Sequence, residues 1–188
     1  MRWLVVPVLL VLTVFTAGCW DLKEVEDLGF VTGIGVDAAP QGKVELLVQL
    51  INPRVVGGAA RGAITPGASA SAKCFRNYTV VGRTIFDAVR ELSLIVPKRL
   101  FFAQNREVLF GEKLSREGLG KVLDFFDRSV DIRKLVYVLV VRGKMSEVME
   151  VPNPHEICPA LRIDALMREQ QRANHSPPVN LGDFLGLL

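Results

Sequence analysis

Histidine and cysteine, the residues that most often carry metal and redox chemistry, are scarce here, with 2 histidines and 3 cysteines among 188 residues. His155 and His175 lie far apart, each in a segment rich in proline and asparagine. Glu156 and Cys158 follow His155 closely, but this spacing matches no pattern of metal ligands. We therefore expect neither a metal site nor a bound cofactor.

The sequence also lacks the short motifs with which enzymes bind phosphates or activate a nucleophile. No glycine-rich stretch ends in Gly-Lys-Ser/Thr, and Ser71-Ala72-Lys73 misses the Ser-x-x-Lys spacing. Residues 33–38 match the sequence of a dinucleotide-binding fingerprint but lack its structural context. Their glycines fall inside a predicted strand, whereas a dinucleotide site needs them between a strand and a helix. No pair of acidic residues stands out as catalytic. The sequence thus predicts no catalytic residue and no enzymatic activity.

Clustered positive charge is missing as well. The net charge is +3, and the basic residues are scattered in short pairs such as Lys98-Arg99 and Arg133-Lys134. A nucleic-acid partner would need basic residues gathered on one face. We therefore expect no nucleic-acid partner.

The N-terminal apolar run is too short to cross a bilayer, which takes about 20 residues. Met1-Arg2 is followed by an uncharged stretch from Trp3 to Phe15, which is typical of a signal peptide. The small residues Ala17 and Gly18 directly precede Cys19, whose thiol would accept a lipid. We predict a lipoprotein signal peptide over residues 1–18 and lipidation of Cys19. The alternative is a plain secretory signal with an accidental cysteine.

The two other cysteines are Cys74, in a strand-like stretch, and Cys158, just before a helical pattern. They could pair outside the cell, but two lone thiols define no disulfide framework. We expect two buried free cysteines, because free cysteine behaves as a small apolar side chain.

Apolar periodicity predicts strands over 29–36, 43–51, 73–81, 106–110 and 135–141. The first two should form a hairpin in which Glu45 and Gln49 mark a wetter face. The last, almost wholly apolar, should be covered on both faces. Residues 57–72, rich in glycine, alanine and serine, read as a mobile loop.

Helical spacing and capping residues predict the helices. Thr84 begins the first, with Asp87 completing a capping box. Ser115 should cap the second, whose buried stripe includes Phe126. A short helix or turn follows at 145–150, and a longer helix at 159–173. The element order predicts an α+β fold, one mixed sheet with helices packed on it.

Several motifs keep an order that resembles one known family. Cys19-Trp20-Asp21 is followed by Gly35-Val36-Asp37 and then by Gln49-Leu50-Ile51-Asn52-Pro53. The later matches are Gly82-Arg83-Thr84-Ile85, Val108-Leu109-Phe110-Gly111-Glu112 and Phe125-Phe126-Asp127-Arg128. Together they resemble the Ger(x)C family, the lipoprotein C subunits of spore germinant receptors. Family members are considerably longer, so the resemblance covers only their N-terminal part.

The resemblance implies a non-enzymatic receptor subunit that senses nutrients together with integral-membrane subunits and triggers spore germination. It would sit on the extracytoplasmic face of the inner spore membrane, held by the lipid on Cys19. The implied organisation is a signal peptide at 1–18 and an N-terminal domain at 19–178. Residues 179–188 either dock back on that domain or start a second one. The alternative is a free-standing extracytoplasmic lipoprotein, either a solute-binding protein or a hydrolase.

Overall fold

The computed structural model describes residues 27–53, 56, 74–151, 156, 158–173 and 178–187, which contain six strands and six α-helices. The strands are β1 Leu28–Ala39, β2 Lys43–Ile51, β3 Phe75–Gly82, β4 Arg99–Phe101, β5 Glu107–Gly111 and β6 Tyr137–Val141. The helices are α1 Ile85–Ile95, α2 Glu112–Glu117, α3 Gly120–Arg128, α4 Met145–Val148, α5 Pro159–Arg172 and α6 Leu181–Gly186. A single mixed sheet with helices packed on it confirms the predicted α+β class.

Strand β1 lies at the centre of the sheet. It pairs antiparallel with β2, and β3 pairs antiparallel with β2 in turn. The short β4 runs parallel to the first three residues of β1. Strand β5 also runs parallel to β1 and pairs with it from Gly33 on. β6 adds in parallel to β5, which gives the order β3-β2-β1-β5-β6.

The predicted hairpin between β1 and β2 is confirmed, with a short 3-10 turn, Pro40–Gly42, as its connection. Gln41 and Gly42 both have positive φ, of 62° and 70°. Pro40 fixes its own φ, and glycine adopts a positive φ without steric cost. The chain therefore reverses direction within three residues.

Helix α1 begins where the sequence predicts it. The Thr84 hydroxyl accepts a hydrogen bond from the Asp87 amide at 3.2 Å, which satisfies one free N–H of the first turn. The Asp87 carboxylate accepts from Arg83 at 3.0 Å. Ile85, Ala88 and Leu92 form its buried stripe.

Helices cover both faces of the sheet. A register shift between Val31 and Gly33 changes the side-chain alternation of β1, so Val31 and Ile34 both reach the first core. This larger core lies under α1, α2, α3 and α6. The second core is smaller and packs against α4 and α5; its buried residues are Leu47, Leu109, Val141, Met145 and Met149.

The predicted wetter face of β2 is wrong. Leu47 and Gln49 are 1% and 0% exposed, and Glu45 is half-buried. The cause is tertiary, because α4 and α5 come from residues far along the chain and cover the face on which these side chains lie. The polar residues of β2 therefore indicate a buried polar contact and not a face exposed to solvent.

The prediction that the strand at 135–141 is covered on both faces is also wrong. The strand begins at Tyr137, and Val140 is 57% exposed, while Leu135 before the strand is 80% exposed. β6 is the last strand in the order, so one of its edges has no neighbouring strand among those described. An apolar, β-branched run is therefore no proof of a central position.

Ser115 does not cap the second helix. It lies inside α2, and its hydroxyl donates to the Gly111 carbonyl at 2.9 Å. α2 ends before Gly118, whose φ of 108° suits glycine, and α3 starts at Gly120. The buried stripe of α3 is confirmed at Val122, Leu123 and Phe126, with Phe125 in addition.

The remaining predictions concern the cysteines and the chain ends. Cys74 and Cys158 are both free, as predicted; Cys158 is buried, but Cys74 is only half-buried, so the prediction of two buried thiols is wrong for Cys74. Residues 179–187 pack on the sheet, because the Leu181 amide donates to the Val136 carbonyl at 2.8 Å and its side chain is fully buried. The division of the chain at residues 18 and 178 stays a prediction. The predicted signal peptide, residues 1–18, and the predicted loop, residues 57–72, lie outside the described residues.

Candidate functional site

Cys19, the predicted lipidation site, lies outside the described residues, as do His155 and His175. Within the described ranges, no three His, Cys, Asp or Glu side chains lie close enough together to hold a metal ion. None of the helices in these ranges is long and apolar enough to span a bilayer.

The Gly-x-Asp motif of β1 meets the end of β5. The Asp37 carboxylate accepts hydrogen bonds from the Ala38 amide at 2.7 Å and the Leu114 amide at 3.4 Å. A Cβ atom on Gly111 would overlap this carboxylate. Gly111 therefore leaves the space in which Asp37 binds the first turn of α2.

Glycines in β1 admit the methionines of the second core. A Cβ atom on Gly33 would lie 2.6 Å from the Met149 Cε, and one on Gly35 would lie 2.6 Å from the Met145 Cγ. Both glycines lie within β1, as the sequence predicts. The dinucleotide fingerprint at 33–38 is therefore a packing motif.

The Gln49 side chain joins three separate parts of the chain. Its amide nitrogen donates to the side-chain Oδ1 of Asn77 at 2.8 Å and to the Met149 backbone carbonyl at 2.9 Å. Its amide oxygen accepts from the Ala160 backbone N–H at 3.1 Å. The sequence reasoning missed this role, although Gln49 opens one of the family-like motifs.

A buried carboxyl group lies on the same face of the sheet. Glu107, the first residue of β5, is 0% exposed, and neither carboxyl oxygen has a hydrogen-bond partner in the described part of the chain. Burial raises its pKa well above the usual range, and the nearby Asp164 carboxylate raises it further, while Arg106 lowers it. Nothing in the sequence singled out Glu107, since its position resembles that of an ordinary strand-start residue.

The Cys158 thiol lies near this carboxyl group. It is 1% exposed and donates a long hydrogen bond, 3.9 Å, to the Thr32 hydroxyl. Burial raises its pKa, and the charge of Glu107 adds to the rise. The thiolate is the reactive form of cysteine, so this environment disfavours a nucleophilic role.

An open cleft of about 760 Å³ lies at the end of the sheet where β1 begins. Its lining mixes apolar side chains, such as Leu28 and Val96, with polar ones, such as Tyr78 and Asn77. The Asn77 amide is held in place by its bonds to Gln49 and to the Met149 carbonyl. Small-molecule sites occupy roughly 300–1,000 Å³, so the cleft is large enough for such a ligand.

Comparison with known proteins agrees with the order of motifs. The family model described as "Spore germination protein N-terminal domain" matches residues 21–188. Spore germination protein KC of Bacillus subtilis (strain 168) is 31% identical over 166 residues, which are 87% of this chain and 40% of that protein. Spore germination protein B3 of the same organism is 30% identical over 140 residues, 74% of this chain and 35% of that protein.

The chain thus spans less than half the length of these two relatives. No solved structure matches it significantly. The family match covers nearly all of the chain, including every described strand and helix. The chain therefore belongs to the Ger(x)C family of spore germination proteins, of which it carries the N-terminal domain.

Proposed function

We propose that this chain is the N-terminal part of a lipid-anchored, non-enzymatic subunit of a nutrient germinant receptor. The family match over residues 21–188 carries the proposal, supported by relatives that are named as spore germination proteins. Its partners would be integral-membrane subunits of the receptor. Its place would be the extracytoplasmic face of the inner spore membrane.

The proposed anchor would hold the domain close to the bilayer. Seven residues lie between Cys19 and Asp27, the first described residue, so eight Cα-to-Cα steps join the two. An extended chain rises at most about 3.6 Å per residue, so this stretch reaches no further than about 29 Å. A tether of this length raises the local concentration of membrane partners, and modest contacts would then suffice for assembly.

Lipidation of Cys19 is tested by growing the host with a labelled fatty acid. We expect the wild-type chain to carry the label and to sediment with membranes, because Ala17-Gly18-Cys19 ends an apolar signal. Cys19→Ala should lose both properties. Cys74→Ala is the matched control and should keep both. A Cys19→Ala chain that is still labelled would contradict the anchor.

The non-enzymatic role is supported by what the motif residues do in the fold. Asp37 binds a helix start, Gln49 bridges three elements, and Phe125 and Phe126 fill the first core. The buried Cys158 thiol has a raised pKa. These residues serve packing and positioning, which favours a binding function.

The receptor role is tested by deletion and by extraction with detergent. We expect loss of the protein to slow germination triggered by nutrients and to leave sporulation intact. The protein should also co-purify from spore membranes with polytopic membrane proteins. Complementation with the wild-type chain should restore germination, and Cys19→Ala should restore it poorly.

The cleft at the start of β1 supports the competing function, a free-standing solute-binding lipoprotein. That alternative predicts a protein recovered without polytopic partners and a normal nutrient response after deletion. Either result would count against the receptor subunit.

A further inference from the structure

The carboxyl group of Glu107 lies between the sheet and α5. Its Oε1 atom is 2.7 Å from the point where a Cβ atom on Gly33 would stand, so it contacts the bare backbone of β1. The Ala160 Cβ of α5 is 3.1 Å from the same point. Removing α5 would therefore open the space around Glu107 to water.

The buried residues of helix α5 all lie in its first two turns. Ala160 and Asp164 are 0% and 9% exposed, while Leu166 beyond them is 50% exposed and the last residues of the helix are exposed. The amide of Ala160 also donates to Gln49. Segments with so few buried contacts open at a lower free energy than the core of a domain.

The charged and titratable groups around Glu107 come from several elements. α5 contributes Asp164, which is ion-paired with Arg168 at 2.9 Å. The residue before α5 contributes the Cys158 thiol, and the residue before β5 contributes Arg106. Tyr137 lies opposite Glu107 on β6. The α4 side presents uncharged methionine side chains to this face.

We propose that α5 is a pH-sensitive cover of the sheet, which docks while Glu107 is protonated and detaches more readily as Glu107 loses its proton. In the docked form Glu107 is 0% exposed, its carboxyl oxygens have no hydrogen-bond partner among the described residues, and a second carboxylate, Asp164, lies nearby. The detached form would let Glu107 ionise in water. Detachment would also uncover Met145 and Met149 on the second core.

The direction of the pH effect follows from proton linkage. The pKa of Glu107 is raised when α5 is docked, so the docked form binds more protons than the detached form above the ordinary carboxyl pKa, about 4.3. Docking is therefore strongest at low pH and weakens as pH rises from there to the raised pKa. One proton changes the docking equilibrium by up to about tenfold per pH unit.

The probe is the buried thiol of Cys158, which immediately precedes α5. The full chain is treated with a disulfide reagent between pH 5 and pH 8, and labelling of Cys158 is measured by peptide mass spectrometry. Each rate is divided by the rate for the urea-unfolded chain at the same pH, which removes the intrinsic effect of thiol ionisation. We expect protection of Cys158 to fall with rising pH, while Cys74 serves as an internal reference for global unfolding.

Two variants separate the role of Glu107 from a general loss of structure. Glu107→Gln keeps the shape but cannot ionise, so its Cys158 protection should not change with pH. Glu112→Gln, an exposed carboxyl that pairs with Arg116, is the control and should keep the wild-type dependence. Asp164→Asn leaves Glu107 intact and should raise protection at pH 8, because the repulsion between carboxylates is removed.

Three results would overturn the proposal. The first is wild-type protection of Cys158 that does not change with pH. The second is a Glu107→Gln chain with the wild-type pH dependence. The third is equal loss of protection at Cys74 and Cys158, which would mean that the whole domain unfolds. If the Glu107→Gln chain does not fold, the Asp164→Asn chain tests the proposal instead. Cys158 protection below that of the wild type at both pH 5 and pH 8 in this variant would contradict the mechanism.

Discussion

Replacing Phe126 with alanine should lower the free energy of unfolding by about 3–5 kcal/mol. The ring is 0% exposed and sits in the first core between two other aromatic rings. Its centroid lies 5.8 Å from that of Phe110 and 5.2 Å from that of Phe125, in edge-to-face contacts. The substitution removes the buried apolar surface and leaves a cavity that neighbouring elements can fill only in part. Urea unfolding followed by circular dichroism measures the loss.

Phe86→Ala is the matched control for Phe126. Phe86 also contacts Phe125, at 4.9 Å between centroids, but it is 56% exposed on α1. Its removal should cost about 1 kcal/mol, the size of one aromatic contact. Equal losses for the two variants would mean that burial does not decide the stability of this aromatic cluster.

Replacing Gly82 with alanine should destabilise the domain by about 3 kcal/mol, near the upper end of overpacking effects. A Cβ atom there would lie 2.5 Å from the Ala88 amide nitrogen and 2.8 Å from the Thr84 carbonyl oxygen. These are backbone atoms of the first turn of α1, so no side-chain rotation can relieve the overlap. The helix would have to move away from β3, and Ile85 and Ala88 would lose their packing in the first core.

Gly120→Ala is the control for this substitution. Gly120 is the first residue of α3, and a Cβ atom there would meet no atom within 4 Å. Alanine loses less backbone freedom on folding, so the variant should be more stable by about 0.5 kcal/mol. If thermal melting shows Gly82→Ala to be as stable as wild type, the close approach of α1 to β3 is not rigid.

The sequence predicts best where the signal is local. Three correct predictions depend on residues that are close together in the sequence: the hairpin of β1 and β2, the Thr84 cap and the buried stripe containing Phe126. The misplaced Ser115 cap is an error of the same local kind, because Gly118 divides what the periodicity presents as one helix. The three-residue strand β4 escapes notice because a run so short has no readable period.

The failures have a common physical cause in distant contacts. Gln49 reads as a solvated residue, yet it is buried because Met149 and Ala160 arrive from about a hundred residues further along the chain. The sequence predicts that Val140 lies in a strand covered on both faces, yet this residue is exposed in the last strand of the sheet. Glu107 gives no signal at all, since its surroundings include Ala160 and Asp164 of α5, which come from much later in the chain. The buried polar groups of Gln49 and Glu107 are surrounded by residues from distant parts of the chain, so the periodicity of the sequence could not reveal them.

The central position of β1 also governs how the chain behaves while it is being made. Gly33 pairs with Glu107, which lies 74 residues further on, so one edge of β1 stays without its partner until β5 has emerged. At about 5–20 residues per second, that interval is roughly 4–15 s. An unpaired strand edge is a template for pairing with other chains. The newly made protein is therefore most exposed to aggregation in this interval, and a chaperone that binds β1 then would have the greatest effect on yield.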